Sequence, residues 1–367
     1  MNFIQFIFNI FNIFKILSIN IIYNMYFIAE IGVNFYDISK KYNINPVDSC
    51  KLMITEAKNA GAHCVKFQSY KADTLTCKNS PAYWDLTKEK TTSQYDLFKK
   101  HDSFNEKDFR EIKLFCDSIN IDFLSTPFDI NSAEYLDKYQ NMYKISSSDI
   151  TNLPLLEICG SKKKPVLLST GASNIEEIKT AINILEKNGC SKIIIMHCIL
   201  NYPTPNNQAH LNMLDDIKKH FPNYELGYSD HTLPDNNMLI LTTAYLKGAT
   251  YIEKHFTLDK NLPGNDHYHS ADQYDIKKFI KNIELINIIS GSNIKTCIKE
   301  EEISKLNARR SIVSNNMIKK NEIIKNTDII CKRPGNGISP LYFYKILNKK
   351  TNIDIEEDSI ITNDMLN

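Results

Sequence analysis

No Cys-x-x-Cys pair occurs among the nine cysteines of this 367-residue chain. Their odd number and scattered spacing argue against a disulfide scaffold and against a structural zinc site. Unpaired thiols suit a reducing compartment, so a cytoplasmic location is expected. Charge of one sign is lacking too: 44 Lys and Arg against 43 Asp and Glu leave a formal net charge of +1. No global field therefore recruits nucleic acid or an anionic membrane. The first strand-like run is not followed by Gly-x-Gly-x-x-Gly, which removes the fingerprint of a dinucleotide-binding open sheet. The first 24 residues, MNFIQFIFNIFNIFKILSINIIYN, lack a small-residue cleavage site, and asparagines interrupt their apolar run. They read as an extension outside the folded domains. A membrane anchor is the alternative, because the segment approaches the length of a span.

What is present is a globular composition, 43% hydrophobic and 24% charged, enough for one large domain and a small one. From residue 25 to about 290, short apolar runs alternate with amphipathic stretches. Strands are predicted at 26–32, 63–68, 121–125, 142–146, 165–169, 192–198, 225–228 and 250–255. Most are continuously apolar, as strands buried on both faces are. Helices are predicted over 46–60, 104–119, 173–188, 208–219 and 235–247. Pro46 suits a first helical turn, and Ser173 with Glu176 fits a capping box. Gly61, Gly189 and Gly248 stand where helices close. Eight strands with helical crossovers predict an α/β fold, a (β/α)8 barrel over 25–290. The 70–103 segment reads as a loop over the active site with short helices in it. Residues 291–305 read as a polar linker and 306–367 as a small β module, in which IKKNEII at 318–324 is echoed by IEEDSII at 355–361.

In a parallel barrel the chemistry sits at the C-terminal strand ends, and unusual polar residues recur there. They are Glu30; Lys66 and Gln68; Ser125 and Thr126; Lys144, Ser147 and Asp149; Ser169 and Thr170; Tyr202; Ser229, Asp230 and His231; and Glu253 and His255, with Asp266 just beyond. Lys66, Lys144, Ser147, Ser169 and Ser229 have the donors that a phosphate and a carboxylate require. His231 and His255, at the ends of adjacent strands, suit a borderline divalent ion. His267 and His269, beside Asp266, form a rival pair. Gly264, Asn265 and Asp266 fit a tight loop at the barrel mouth. In the β module, KRPGNG at 332–337 projects Arg333 from a stiff loop.

The runs IAEIGVN, VKFQ, STPF, LSTG, YPTP, GYSDHT, EKHFTLD and KRPGNG, in this order, closely resemble the sialic acid synthases (N-acetylneuraminate synthase family). The resemblance runs from about Tyr26 to the C-terminus. It implies a TIM barrel followed by an antifreeze-like (SAF) β-clip domain, and a domain-swapped homodimer in which that domain covers the partner's barrel. The implied reaction condenses phosphoenolpyruvate with an acylamino sugar, with manganese or magnesium held by His231 and His255. The likeness also implies phosphoenolpyruvate contacts from Lys66, Thr126, Lys144, Ser147, Ser169 and Ser229. Glu30, Gln68, Tyr202, Glu253 and Asp266 would surround the sugar, Asp149 stands where bacterial members often carry Glu, and Arg333 would come from the partner subunit. Glu30 or Asp149 would manage protons.

Three departures bear on which sugar is accepted. Asn34 is followed by Phe35, Tyr36 and Asp37 instead of a His-x-Gly continuation; Leu200 replaces an Asn found in some members; and GNDHYHSAD at 264–272 is histidine-rich. N-acetylmannosamine, its 6-phosphate and precursors of legionaminic- or pseudaminic-type acids are all compatible acceptors. A 3-deoxy-heptulosonate-type aldolase is the competing enzyme, without a use for KRPGNG. A non-catalytic sugar- or ice-binding protein is the competing non-enzyme.

Overall fold

The computed structural model describes residues 25–264 and 266–367. The extension over 1–24, its alternative reading as an anchor, and Asn265 lie outside the described residues. Among those described, no helix is long and apolar enough to cross a membrane. The nine cysteines form no disulfide, and five of them are buried.

The first compact unit, which ends at Ile289, holds eight parallel strands: β1 (Tyr26–Gly32), β2 (Cys64–Ser69), β3 (Asp122–Pro127), β4 (Tyr143–Ile145), β5 (Pro165–Ser169), β6 (Lys192–Cys198), β7 (Glu225–Asp230) and β8 (Ala249–His255). The order is β3-β2-β1-β8-β7-β6-β5-β4. The β1–β8 pairing, with Glu30 opposite His255, rolls the sheet into the expected barrel. β3 and β4 stand side by side, and beside them the Gln140 carboxamide accepts the Ser125 backbone N–H at 2.9 Å.

Helices cover the outside. The Pro46–Ala60 helix is capped by Asn45, which accepts from the Asp48 N–H, and ends on Gly61 at φ 103°. That left-handed backbone is one glycine adopts without strain. The helix predicted over 173–188 runs Ile175–Lys187, with its N-cap one residue later than expected. Its capping box is Asn174 with Glu177, while Ser173 turns back to the Gly171 carbonyl. The predicted 235–247 helix begins only at Leu239, because the Asp235 carboxylate binds the N–H groups of Asn237 and Leu239 and holds the approach as a turn. An unanticipated helix, Phe35–Tyr42, follows β1 where the sequence departs from His-x-Gly. Short helices Ala72–Leu75 and Gln94–Lys100 lie within the 70–103 segment.

The second unit, Ser290–Asn367, pairs β9 (Ser311–Ser314) antiparallel with β10 (Ile329–Lys332). Its core consists of eight isoleucines: Ile312, Ile318, Ile324, Ile329, Ile338, Ile346, Ile355 and Ile361. The repeat seen in the sequence explains four of them. Ile318 and Ile324 open and close one echo, Ile355 and Ile361 the other, and the backbones of Ile318 and Ile355 exchange hydrogen bonds of 2.9 and 2.8 Å. A short helix, Glu302–Ala308, precedes this module.

Candidate active site at the C-terminal mouth of the barrel

Strand periodicity builds the site. Alternate residues on a strand face the same way, and the inward set changes character along each strand. Near the bottom Ile28, Cys64, Leu124, Leu167, Ile194 and Met196 form an apolar plug. Two residues further on, the same faces carry Glu30, Lys66, Thr126, Ser169 and Cys198. These line a cavity together with Gln68, Lys144, Ser147, Tyr202, Ser229, His231, Glu253 and His255. The intervening residues face out: Asp230 and Lys254 form an ion pair of 2.6 Å that is almost wholly buried behind the histidines. At the top of β1, the register slips between Glu30 and Gly32. Gly32 takes φ 55°, and a Cβ there would stand 3.2 Å from Gln68 Nε2 and 3.3 Å from Glu30 Oε1.

Four charges dominate the cavity. Lys66 Nζ lies 2.6 Å from Glu30 Oε2 and 3.7 Å from Glu253 Oε1. Lys144 Nζ lies 3.4 Å from the same Glu253 oxygen, to which Ser229 also donates at 3.0 Å. Lys66 further donates to Thr126 at 3.1 Å, and Gln68 to Glu30 at 2.9 Å. Burial pushes the Glu30 carboxyl up to about 7, against the opposing pull of Lys66 and with Glu253 adding to the rise. Burial would likewise raise Glu253, but Lys144 and Lys66 hold it below the usual range. Lys66 is desolvated yet held above its ordinary value by Glu253 and Glu30. Lys144 is lowered by burial, which Glu253 only partly offsets. On the next loop Ser147 Oγ accepts the Gly171 N–H at 2.9 Å. A Cβ at Gly171 would come within 2.8 Å of that oxygen.

Two imidazoles complete the lining, with a third beside them. The His231 and His255 rings stand 5.5 Å apart, and His269 is 5.0 Å from His255 and 6.4 Å from His231. Tyr202 packs on His231 at 4.0 Å. His231 Nδ1 lies 2.8 Å from the Ile199 carbonyl. A carbonyl only accepts, so Nδ1 carries the hydrogen, and in the neutral ring Nε2 keeps its lone pair, the arrangement that suits a metal ligand. Burial would lower the His231 pKa, but Cys198 at 3.7 Å and that carbonyl raise it. His255 is pushed well below its ordinary value by burial and by the adjacent His269 and His231. Its buried Nδ1 has no hydrogen-bond partner, with Asp266 Oδ2 3.6 Å away. An orphaned neutral imidazole nitrogen among further imidazoles fits a borderline divalent cation.

Not every expected residue lines this cavity. Asp149 sits in the short turn Ser147–Asp149, where Asn152 and Ser148 donate to its two oxygens at 3.1 and 3.3 Å. Asp266 lies beside His255. Arg333 is exposed in the second unit, after β10. The His267/His269 pair is split: His267 turns to Thr257 at 2.7 Å and Asp37 at 3.5 Å, whereas His269 faces the other histidines. Cys198, Phe128 and Ser146 also stand on the wall, and His269 in this cluster, beyond the residues that the strand-end pattern singles out. For Cys198 the signal was available, since it lies two residues beyond inward-facing Met196.

Comparison with known proteins bears on the family. The NeuB family matches residues 53–295 and the SAF domain residues 309–367. An uncharacterized protein of Methanocaldococcus jannaschii is 41% identical over 92% of this chain and 93% of its own. The N,N'-diacetyllegionaminic acid synthase of Campylobacter jejuni is 37% identical over 91% of this chain and 98% of its own. The crystal structure of an N-acetylneuraminic acid (sialic acid) synthetase from Leptospira borgpetersenii is 30% identical, with a TM-score of 0.65 over 76% of this chain and 90% of that one. With the family match covering most of the barrel and these likenesses extending over both units, the chain belongs to the NeuB family.

Proposed function

We propose that this enzyme condenses phosphoenolpyruvate with the open-chain aldehyde of an acylamino sugar, giving a nine-carbon 2-keto acid and inorganic phosphate. The observation that carries the reading is the lining of the cavity: two buried lysines and a set of hydroxyls together with two imidazoles, with a third, His269, packed beside them. Lys66, Lys144, Ser147, Ser169 and Ser229 would take the phosphate and carboxylate, so that attack becomes effectively intramolecular. A divalent ion held by His231 and His255 would polarise the aldehyde oxygen. The methylene carbon of phosphoenolpyruvate then attacks the aldehyde carbon, and water adds to the electron-poor carbon bearing the phosphate. Phosphate leaves with its bridging oxygen, and the ketone forms.

Glu30 supplies the proton for the new hydroxyl. It is favoured over Asp149 because it faces the cavity and its pKa lies near neutrality, whereas Asp149 is held by its own turn. When the trianion draws Lys66 toward itself, Glu30 loses its counter-charge and is protonated more readily. Gln68, Tyr202, Glu253 and Asp266 would frame the sugar. Arg333 would reach the site from the second unit of a partner in a homodimer.

The test is phosphate release from phosphoenolpyruvate with a panel of acceptors, with product masses measured: N-acetylmannosamine, its 6-phosphate, diacetamido sugars, and erythrose and arabinose phosphates. Turnover with an acylamino sugar is expected. Turnover with the simple sugar phosphates alone would refute the reading. Similarity over nearly the whole length to a legionaminic acid synthase supports a diacetamido sugar as a second acceptor candidate.

A further inference from the structure

Within the run GNDHYHSAD, His267 is used up by Thr257 and Asp37, but His269 is buried against the active-site histidines. One donor atom each from His255, Asp266 and His269 lies within 4.8 Å of the other two. Ligands about 2.1 Å from an ion stand about 3–4 Å from one another, so small side-chain rotations close this group around a cation. A second observation points the same way: the buried His255 Nδ1 lacks a hydrogen-bond partner.

We propose that His269 is a third imidazole ligand of the divalent cation, and that with His255 and Asp266 it makes the site selective for borderline transition ions over Mg2+. The proposal rests on the metal-assisted condensation read above and goes beyond its two-histidine site. Mg2+ takes oxygen ligands and keeps its waters, whereas a set rich in imidazole suits iron or zinc, and Mn2+, the weakest binder of that transition series, accepts mixed nitrogen and oxygen ligands and serves as the spectroscopic probe. The loop thereby does what the strand ends alone do not, since it adds one nitrogen donor, from His269, and one carboxylate, from Asp266.

The experiment uses metal-free full-length protein and Mn2+ as the probe, without substrate. Affinity is read by electron paramagnetic resonance, and coordinated nitrogens by pulsed measurements on the bound ion. His269→Phe preserves volume and His269→Asn preserves polarity, so at least one should fold, as checked by circular dichroism. Both are expected to weaken Mn2+ binding about tenfold or more and to remove one nitrogen coupling. Mg2+ in about tenfold excess is expected to leave Mn2+ bound to the wild type. Unchanged affinity and couplings in the folded variants would overturn the proposal. If His255→Ala still abolishes binding in that case, the two-histidine site stands and only His269 is excluded. If His255→Ala also binds normally, the metal-assisted reading falls as well.

Discussion

Replacing Glu30 with Gln should make the enzyme more stable at alkaline pH while nearly silencing it. The carboxyl is 1% exposed, and its pKa in the fold is about 7 against an ordinary 4.5. It therefore holds its proton more tightly folded than unfolded. The fold loses stability as pH rises from about 4.5 through about 7, and the loss is complete above that window. The gap corresponds to roughly 3 kcal/mol. Gln stands in for the protonated carboxyl, so the variant escapes this loss. In a unit of this size 1 kcal/mol moves the melting temperature by about 2 °C, which makes the expected advantage at pH 8 about 5 °C larger than at pH 5. The assay is thermal melting of both proteins across that range, paired with steady-state kinetics. Wild-type kcat/KM should fall above pH about 7 with an ionisation that Glu30→Gln lacks, and kcat of the variant should drop about 10²–10⁴-fold. A stability difference independent of pH, or an identical pH profile, would refute both the raised pKa and the proton-donor role.

Three further outcomes are expected. Gly171→Ala forces a Cβ to within 2.8 Å of Ser147 Oγ, so it should cost about 1–3 kcal/mol and raise KM for phosphoenolpyruvate; unchanged melting and KM would show that the close approach is dispensable. Asp230→Asn leaves Lys254 buried without its counter-ion and should cost about 3–5 kcal/mol in urea unfolding. Adding Lys254→Met should recover most of that, and a single variant as stable as wild type would refute the buried staple. Mixed Arg333→Ala and His231→Ala subunits should regain part of the activity that each lacks alone; no recovery under verified exchange would place Arg333 outside the partner's site.

The barrel was legible because its information is local. Runs such as KIIIMHC, apolar on both faces, admit little but a strand between helical layers, and glycines such as Gly61 mark where the intervening helices stop. Boundaries slipped where two side chains competed for the same backbone donors. Ser173 and Asn174 both offer an N-cap oxygen, and only the position of the preceding turn decides for Asn174. Asp235 lies inside an apolar helical pattern, but its carboxylate satisfies the N–H groups that a longer helix would have used. The isoleucine core of the second unit was half visible as an echo. That the two echoes pair with each other is a long-range fact that no local window contains.

The site was legible as a set of residues but not as a circuit, because pairing across a barrel depends on height as well as direction. Parity on each strand says that Glu30, Lys66 and Glu253 face inward. It does not say that the Glu253 carboxylate stands between two lysines, which follows only when β8 is set against β1 and β7 at a particular register. The consequence is chemical. Each of the two cavity lysines already has a carboxylate beside it, so the cavity is close to neutral and the cost of burying two ammonium groups is offset internally. On the proposed reaction an incoming trianion would displace those carboxylates from the lysines, and Glu30, once released, would be a carboxyl already raised to about 7. A residue listing gives the charges. The order of hand-over the proposal requires, from lysine–carboxylate to lysine–phosphate with a proton taken up by Glu30, would follow from the distances.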